Sequence, residues 1–380
     1  ILMGYRGSPN QFESATTYID LKDKICELEL YWRELNNACP SLYSQYDPSS
    51  DIATMVLLED DMIDTVININ SDTILGNNIA IQSENGGEGK ILSFDNMYKI
   101  GSNTESNTLF SISEEKSILR LYQIILDNLL DTTTSPLILL TGNSAHINDA
   151  QLHIESCIFT QSGNAPLTEL KHNLIQINGG TATIKDVSIS NYLFSNGKRV
   201  INVETISSLQ ECQFIMSGTT ISKIIQQGNV GGSGIKCTIS SGSSIQIQDY
   251  CLFEECISES GFGGVLNIAL DGGILNMKET TMKKCKALNG GAIYASIISM
   301  QEFLISQEVY FEECEAVGDN LLSGRGGAIY INLEQDSPYE FKIGYGVYFK
   351  LNQASKFGRD GFVYCKNIDD LNLEQLFLFD

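Results

Sequence analysis

Three regularly spaced cysteines are the residues best suited to chemistry in this sequence. Cys256, Cys285 and Cys314 follow one another at equal intervals, and Asn352 occupies the same place after one longer interval. Stacked thiols could form a disulfide, a metal ladder or a column of small buried side chains beside a turn. Adjacent parallel strands offer poor disulfide geometry, and asparagine shares with cysteine a short side chain that suits a turn. We therefore favour the structural column.

The three histidines do not suggest a site. His146, His153 and His172 fall within one short stretch of the chain, and His153 alternates with apolar neighbours as a solvent-facing strand residue would. We predict surface histidines here rather than a general base or a zinc site.

Charged pairs recur at one offset in successive copies of a repeat. Glu254-Glu255, Lys283-Lys284 and Glu312-Glu313 alternate in sign. This alternation predicts ion pairs between neighbouring strands rather than the clustered carboxylates of a lyase or hydrolase. The sequence predicts no catalytic set, metal site or cofactor.

The repeat that positions the cysteines has a large apolar anchor three residues before each one. Period-two alternation inside each copy indicates strands, and a period of about 30 residues with insertions indicates a solenoid. Anchors and cysteines together form the predicted structural columns Phe253, Met282, Phe311 and Phe349, and Cys256, Cys285, Cys314 and Asn352.

Weaker copies extend the pattern toward the N-terminus. Cys212-x-Phe214 resembles Cys157-x-Phe159, so Phe214 is taken as an anchor. With Phe94 as the first anchor, we predict an all-β parallel β-helix of about nine coils over residues 55–365.

Glycines precede one strand of each copy. They predict tight corners where the chain needs φ > 0 or close approach to the neighbouring coil. The predicted corner glycines are Gly263, Gly264, Gly290, Gly291, Gly326, Gly327 and Gly361.

These motifs resemble a known repeat family. Gly-Gly-Ala-Ile-Tyr occurs at 290–294 and 326–330 after Phe/Met-x-x-Cys, and Phe349-Lys350-Leu351-Asn352 is an FxxN motif. Such GGAIY/FxxN-type repeats are similar to those of polymorphic outer membrane proteins and of large surface proteins of protists, especially ciliates. The resemblance implies a right-handed, pectin-lyase-like parallel β-helix that serves adhesion or a surface coat.

Residues 1–54 differ from the repeats. The apolar stripe Ile25, Leu28, Trp32 and Leu35 predicts a helix over about 20–37 that caps the first coil. Cys26 and Cys39 flank it and are a candidate disulfide. Residues 366–380 form an apolar C-terminal tail that we expect to continue the fold or to dock.

The composition narrows the partners. A net charge of −23 argues against nucleic acid, whose phosphates would be repelled. No apolar run approaches the roughly 18–20 residues of a transmembrane helix. Ten cysteines fit an oxidising compartment, and a chain that begins at Ile1 suggests a piece of a longer precursor.

Two classes of function remain. The first is an extracellular structural or adhesive surface protein, a rigid spacer that self-associates head-to-tail into a filament or coat. The alternative is a polysaccharide lyase or hydrolase, or a carbohydrate-binding β-helix, because one fold hosts several functions. Glycans are candidate partners in either case.

Overall fold

The structure is a computed structural model in which every described regular element is a β-strand. The predicted helix, the candidate disulfide Cys26–Cys39, and the tail 366–380 lie outside the described residues. The described residues are 2–3, 53–57, 61–63, 67–69, 78–83, 99–102, 108–113, 115–127, 134–142, 150–161, 167–195, 197–205, 210–318, 322–334 and 341–365.

The strands of the N-terminal part are two to seven residues long, and their pairings are parallel except that of the first strand, which is antiparallel to the second. They are β1 (Leu2–Met3), β2 (Ala53–Leu57), β3 (Asp61–Ile63), β4 (Ile67–Ile69), β5 (Asn78–Ser83), β6 (Lys99–Ser102), β7 (Phe110–Ser113), β8 (Ser117–Tyr122), β9 (Ile125–Leu126), β10 (Ile138–Thr141), β11 (Ala150–Glu155), β12 (Ile158–Thr160), β13 (Glu169–Leu170), β14 (Ile175–Asn178), β15 (Gly180–Lys185), β16 (Ser188–Phe194) and β17 (Ile201–Glu204).

The second half of the solenoid has longer strands. They are β18 (Cys212–Ser217), β19 (Thr220–Gln226), β20 (Ile235–Ser240), β21 (Ser244–Gln248), β22 (Cys251–Ser258), β23 (Leu266–Met277), β24 (Thr280–Lys283), β25 (Lys286–Ala287), β26 (Ile293–Ile305), β27 (Val309–Glu312), β28 (Glu315–Ala316), β29 (Ile329–Leu333), β30 (Phe341–Ile343), β31 (Val347–Lys350), β32 (Gln353–Ala354) and β33 (Gly361–Tyr364).

The strands stack into three parallel walls, one strand of each wall per coil. The first wall contains β4, β7, β10, β14, β17, β20, β29, β33 and the first halves of β23 and β26. The second contains β2, β5, β8, β11, β15, β18, β21, β30 and the second halves of β23 and β26. The third contains β3, β6, β9, β12, β16, β19, β22, β24, β27 and β31, with β13, β25, β28 and β32 beside it. The chain is therefore a parallel β-solenoid, as predicted.

The anchor residues form one column along the third wall. From Leu126 onward, seven turns join eight members of the column, which are Leu126, Phe159, Ile189, Ile221, Phe253, Met282, Phe311 and Phe349. One coil earlier Ile100 of β6 pairs with Leu126, and β3 precedes β6 in the same stack. Ile100 therefore has the anchor register that the sequence assigned to Phe94, a residue that lies outside the described ones.

The anchor predicted at Phe214 was also misassigned. Phe214 lies on the second wall, where it pairs with Ala182 and Ile245, and Ile221 takes the anchor position. The error arose because an inward strand residue two positions after a cysteine occurs on the second wall as well as on the third. Spacing within one copy therefore does not identify the wall.

The core is a continuous apolar interior formed by alternate residues of each wall. Strand β21 shows the pattern, since Ile245 and Ile247 are buried while the residue between them faces outward. Each inward residue packs on its counterparts in the coils above and below, as in the Phe311–Phe349 ring stack with centroids 5.2 Å apart. Branched and aromatic side chains suit this buried, pleated surface.

The third wall is bent by one residue in the left-handed conformation two positions after each anchor from Ile189 to Phe349. The bend occurs at non-glycine residues, with φ between 53° and 64° at Asn191, Lys223, Glu255, Lys284, Glu313 and Leu351. That conformation costs about 1–2 kcal/mol for an L-residue. It persists in six successive coils because the stacked neighbours impose the same bend.

The corner before the first wall uses two glycines for different reasons. Gly290 has φ +58°, which disfavours any residue with a Cβ. Gly291 has ordinary dihedrals, but a Cβ there would collide with the Gly327 carbonyl oxygen and lie 2.6 Å from the Glu315 nitrogen. The first glycine permits the turn and the second permits close approach between coils.

Gly361 does not lie at such a corner. It pairs with Ile329 inside the first wall, and the left-handed corner position belongs to Gly358 (φ +67°). Arg359 then occupies the place of the second glycine. The sequence alignment failed here because only one glycine of the pair is retained.

This difference predicts opposite outcomes for two glycine substitutions. Gly291→Ala should lower the melting temperature by several degrees, because the added Cβ meets backbone atoms that cannot move aside. Gly361→Ala should leave it unchanged or slightly raised, since the nearest atom to its Cβ is the Ile329 oxygen at 4.0 Å. Thermal unfolding followed by circular dichroism measures both, and equal melting of the two variants would contradict the assignment.

Candidate functional site: the cysteine column and the outward tyrosines

Cys256, Cys285 and Cys314 lie directly above one another just after the bend of the third wall. Each is buried. The column continues to Ile224 in the coil before Cys256 and to Asn352 in the coil after Cys314. All three thiols are free rather than paired in a disulfide. The column therefore runs through the coils as part of the core.

The thiols have a common hydrogen-bonding role. Strand pairing between neighbouring coils stops at Glu254 and resumes at Ile257, because the bend interrupts the ladder. Beside this gap each Sγ has two carbonyl acceptors, one on the residue two positions earlier in its own coil and one on the anchor of the preceding coil. The own-coil Sγ–O distances are 3.9 Å for Cys256, 3.2 Å for Cys285 and 3.5 Å for Cys314. The anchor carbonyls lie at similar range. The Sγ–O distances are 3.6 Å for Cys256 to Ile221, 3.7 Å for Cys285 to Phe253, and 3.4 Å for Cys314 to Met282.

Asn352 performs the same role with a stronger donor. Its Nδ2 donates to the Phe311 carbonyl oxygen at 3.0 Å, and its Oδ1 accepts from the Cys314 backbone N–H at 2.9 Å. Cysteine and asparagine are thus interchangeable here, because either can place a donor beside the anchor carbonyl at the bend. This shared donor is the signal behind the Phe-x-x-Cys and Phe-x-x-Asn motifs.

Several of the buried thiols are hard to ionise. Burial raises the pKa of the Cys285 thiol well above its usual value, and a hydrogen bond with Cys285, followed by burial, does so for the pKa of Cys314. Burial also raises the pKa of Cys157 and Cys212 to about 12. A neutral thiol is a poor nucleophile and a poor metal ligand. The arrangement stabilises the fold and does not activate sulfur.

The two described histidines have different environments. His153 faces outward on β11, where its Nε2 is 3.0 Å from the Gln151 Oε1, and burial followed by the charge of Arg120 lowers its pKa. His172 was predicted at the surface but is buried, with Nδ1 2.9 Å from the Asn173 carbonyl oxygen. His146 lies outside the described residues. Among those that are described, no group of three or more His, Cys, Asp or Glu side chains is arranged to hold a metal ion.

Ion pairs join neighbouring coils along the outer surface of the third wall. Lys283 lies 3.8 Å from Glu254, Lys350 lies 3.7 Å from Glu312, and Lys286 lies 3.0 Å from Glu315. The second residues of the charged doublets are the left-handed bend residues. Exposed pairs of this kind contribute little stability individually. Their role is to favour the correct register between neighbouring coils.

An outward aromatic column runs along the first wall. Phe262, Tyr294, Tyr330 and Phe362 stack with ring centroids 5.0, 5.2 and 5.3 Å apart. The rings cover one another's faces, and Tyr330 is buried. Carbohydrate-binding aromatic platforms need open faces, so this column is a structural feature of the wall.

Exposed tyrosines cluster on the third wall and at the corner before it. We call Tyr250, Tyr310, Tyr345 and Tyr348 the tyrosine patch. Tyr250 is 72% exposed and Tyr345 57%. The Tyr310 and Tyr348 rings stack with centroids 4.9 Å apart, and the acidic Glu308 and Glu312 lie beside Tyr310. Exposed aromatic residues with a polar tip are enriched where proteins bind partners.

Comparison with known proteins gave no match: no family model, no curated protein and no solved structure is similar to this chain at a significant level. The architecture itself is consistent with the pectin-lyase-like class of parallel β-helices. In the described ranges there is no helix long and apolar enough to cross a membrane.

The shared donor role predicts how Asn352 can be replaced. Asn352→Leu should lower the free energy of unfolding by about 1–3 kcal/mol, because the Phe311 carbonyl and the Cys314 N–H lose their partner. Asn352→Cys should cost less, since a thiol restores the donor. Urea unfolding of both variants measures the difference, and equal losses would contradict the donor role.

The raised thiol pKa values predict a loss of stability at alkaline pH. In the folded state Cys157 and Cys212 stay protonated up to about pH 12, whereas in the unfolded chain they ionise near their ordinary pKa of 9.0. Their contribution is therefore complete below pH 9 and declines above it, by about 1.4 kcal/mol per thiol and pH unit. The Cys157→Ala/Cys212→Ala variant should show a shallower decline between pH 9 and 11 in urea unfolding. A slope identical to that of the parent would refute this origin of the pH dependence.

Proposed function

We propose that the chain is an extracellular structural or adhesive protein, a rigid β-solenoid spacer that presents the tyrosine patch to a partner. The observation that carries the proposal is this patch of exposed tyrosines on a wall whose inward residues are buried from Cys251 to Phe311. The resemblance of the GGAIY and FxxN repeats to those of surface proteins supports the extracellular setting. The cysteines do not add to that support, since the eight that are described are free.

The stiffness follows from the uninterrupted core. Seven turns at about 4.8 Å per coil give roughly 34 Å of continuous stacked strands. Every coil is hydrogen-bonded to the next through all three walls. The backbone of a ligand-binding surface on such a wall keeps its geometry, because it cannot shift without moving the columns behind it.

The patch indicates the chemistry of its partner. Tyr250, Tyr310 and Tyr348 span three coil spacings, about 15 Å along the axis. Glu308 and Glu312 give this surface a negative charge, in keeping with a net charge of −23 for the chain. A positively charged, partly apolar protein surface is the best match, because tyrosine rings attract cations and carboxylates attract them further.

Binding to a panel of immobilised proteins and glycans tests the patch. The variant Tyr250→Ser/Tyr310→Ser/Tyr348→Ser should bind its partner at least roughly tenfold more weakly than the parent. The matched control Leu322→Ser/Phe357→Ser removes exposed apolar residues outside the patch and should bind normally. Equal binding by all three proteins would refute the role of the patch.

Two further measurements test the setting and the class of function. Antibodies against the chain should label intact, unpermeabilised cells of the source organism, and labelling only after permeabilisation would overturn the extracellular proposal. Incubation with a polysaccharide panel should release no reducing ends and no 4,5-unsaturated products. Release of either would favour the carbohydrate-active alternative.

A further inference from the structure

Two exposed phenol rings lie face to face on the outer surface of the third wall. Tyr310 of β27 pairs in register with Tyr348 of β31 in the following coil. Their ring centroids are 4.9 Å apart and their planes differ by 16°. Tyr310 is 37% exposed and Tyr348 is 49% exposed, so solvent reaches both rings. The register of the solenoid therefore holds two accessible phenols in contact.

A second tyrosine pair has a similar spacing in a closed setting. Tyr294 and Tyr330 stack on the first wall with centroids 5.2 Å apart and planes that differ by 12°. Phe262 also stacks on Tyr294, and Phe362 also stacks on Tyr330. Tyr330 is only 7% exposed. This pair is a natural control, since it matches the first pair in geometry and differs from it in access.

The coil before Tyr310 does not fix its ring by stacking. The matching outward position in that coil is Thr281, and one coil earlier it is Leu252. Neither residue carries an aromatic ring, whereas each tyrosine of the first-wall pair has a second ring stacked on it. The edge of the Tyr310 ring can therefore turn toward the edge of Tyr348.

The coil that carries Tyr348 is less well packed than the coil before it. Val309 and Phe311 are fully buried, but their counterparts Val347 and Phe349 are only partly buried. A segment with less buried apolar surface opens more readily than its neighbours. A covalent bond between the two tyrosines would hold this coil on the one before, although the residues it joins lie one full repeat apart in sequence.

We propose that Tyr310 and Tyr348 are an oxidative cross-linking site, whose rings a one-electron oxidant joins as dityrosine, so that the last described coil of the third wall is clamped to the coil before. The oxidant is of the class of haem peroxidases that use hydrogen peroxide. Its presence rests on the extracellular setting of the proposed function, because reducing thiol pools keep the cytosol reduced. The stacked geometry itself does not depend on that setting.

The reaction balances with one molecule of peroxide. Each phenol loses one electron to the oxidant and the proton of its Oη to solvent, which gives two phenoxyl radicals with unpaired spin on the ring carbons beside the hydroxyl. Two of these Cε atoms couple to form one carbon–carbon bond, and the hydrogen on each moves as a proton, through solvent, to its own ring oxygen. Two hydrogens are lost overall, and hydrogen peroxide is reduced to two molecules of water. Holding the two rings in contact favours this coupling over encounter with another chain.

Treatment of the full chain with a haem peroxidase and one equivalent of hydrogen peroxide tests the proposal. After proteolysis, mass spectrometry should find one peptide pair joined between Tyr310 and Tyr348 with the loss of two hydrogens. Tyr348→Phe should abolish this product, because phenylalanine keeps the ring stack and lacks the phenol. The matched control Tyr330→Phe should form it as the parent does. In the cross-linked protein, backbone amides of 347–350 should exchange at least roughly tenfold more slowly, with no change around Phe253.

Three outcomes would overturn the proposal. Dityrosine found between Tyr294 and Tyr330 but not between Tyr310 and Tyr348 would show that access does not select the site. Dityrosine found only in covalent dimers would assign the reaction to contacts between two copies. A cross-link that leaves the exchange of 347–350 unchanged would refute the clamp. None of these measurements needs a partner, so failure of the cross-link and failure of the tyrosine patch to bind are distinguishable.

Discussion

Parallel hydrogen bonding from coil to coil is the constraint on which the rest of this structure depends. Because each strand pairs in register with its counterparts in neighbouring coils, every position along a coil becomes a column of stacked residues. Apolar columns such as Phe311 on Phe349 make the core, and charged columns make ion pairs on the surface. A single residue is therefore selected for its fit to two neighbours far away in sequence.

At the bend in the third wall, the same constraint calls for a side-chain hydrogen-bond donor. A left-handed residue such as Glu255 interrupts the ladder close to the carbonyl of the anchor in the preceding coil. A side-chain donor one residue later lies within reach of that carbonyl, and Cys285 and Asn352 are two such donors. The conspicuous cysteine motif is thus explained by hydrogen bonding in a packed interior, where burial also holds the pKa of the thiol high.

On the outer surface, the same constraint distinguishes aromatic residues that serve the fold from those that are free to bind a partner. The column from Phe262 to Phe362 uses its ring faces for stacking, and Tyr330 within it is buried. The tyrosine patch differs, because Tyr250 is largely exposed, while Tyr310 and Tyr348 stack on each other and still leave much of their surface to solvent. Function in a solenoid is expected at such departures from the repeat, where a residue is not needed by the coils above and below it.

The sequence by itself determined the class of fold, since period-two alternation within a repeating unit leaves a parallel β-solenoid as the arrangement that buries every apolar position. It also determined the anchors from Phe253 to Phe349, where the motif is strict. Only the tertiary structure decided which wall holds Phe214, that Gly361 lies inside the first wall rather than at a corner, and that His172 is buried. These depend on the register between coils that lie one full repeat apart in the chain, and register is set by contacts across the stack that no single repeat contains.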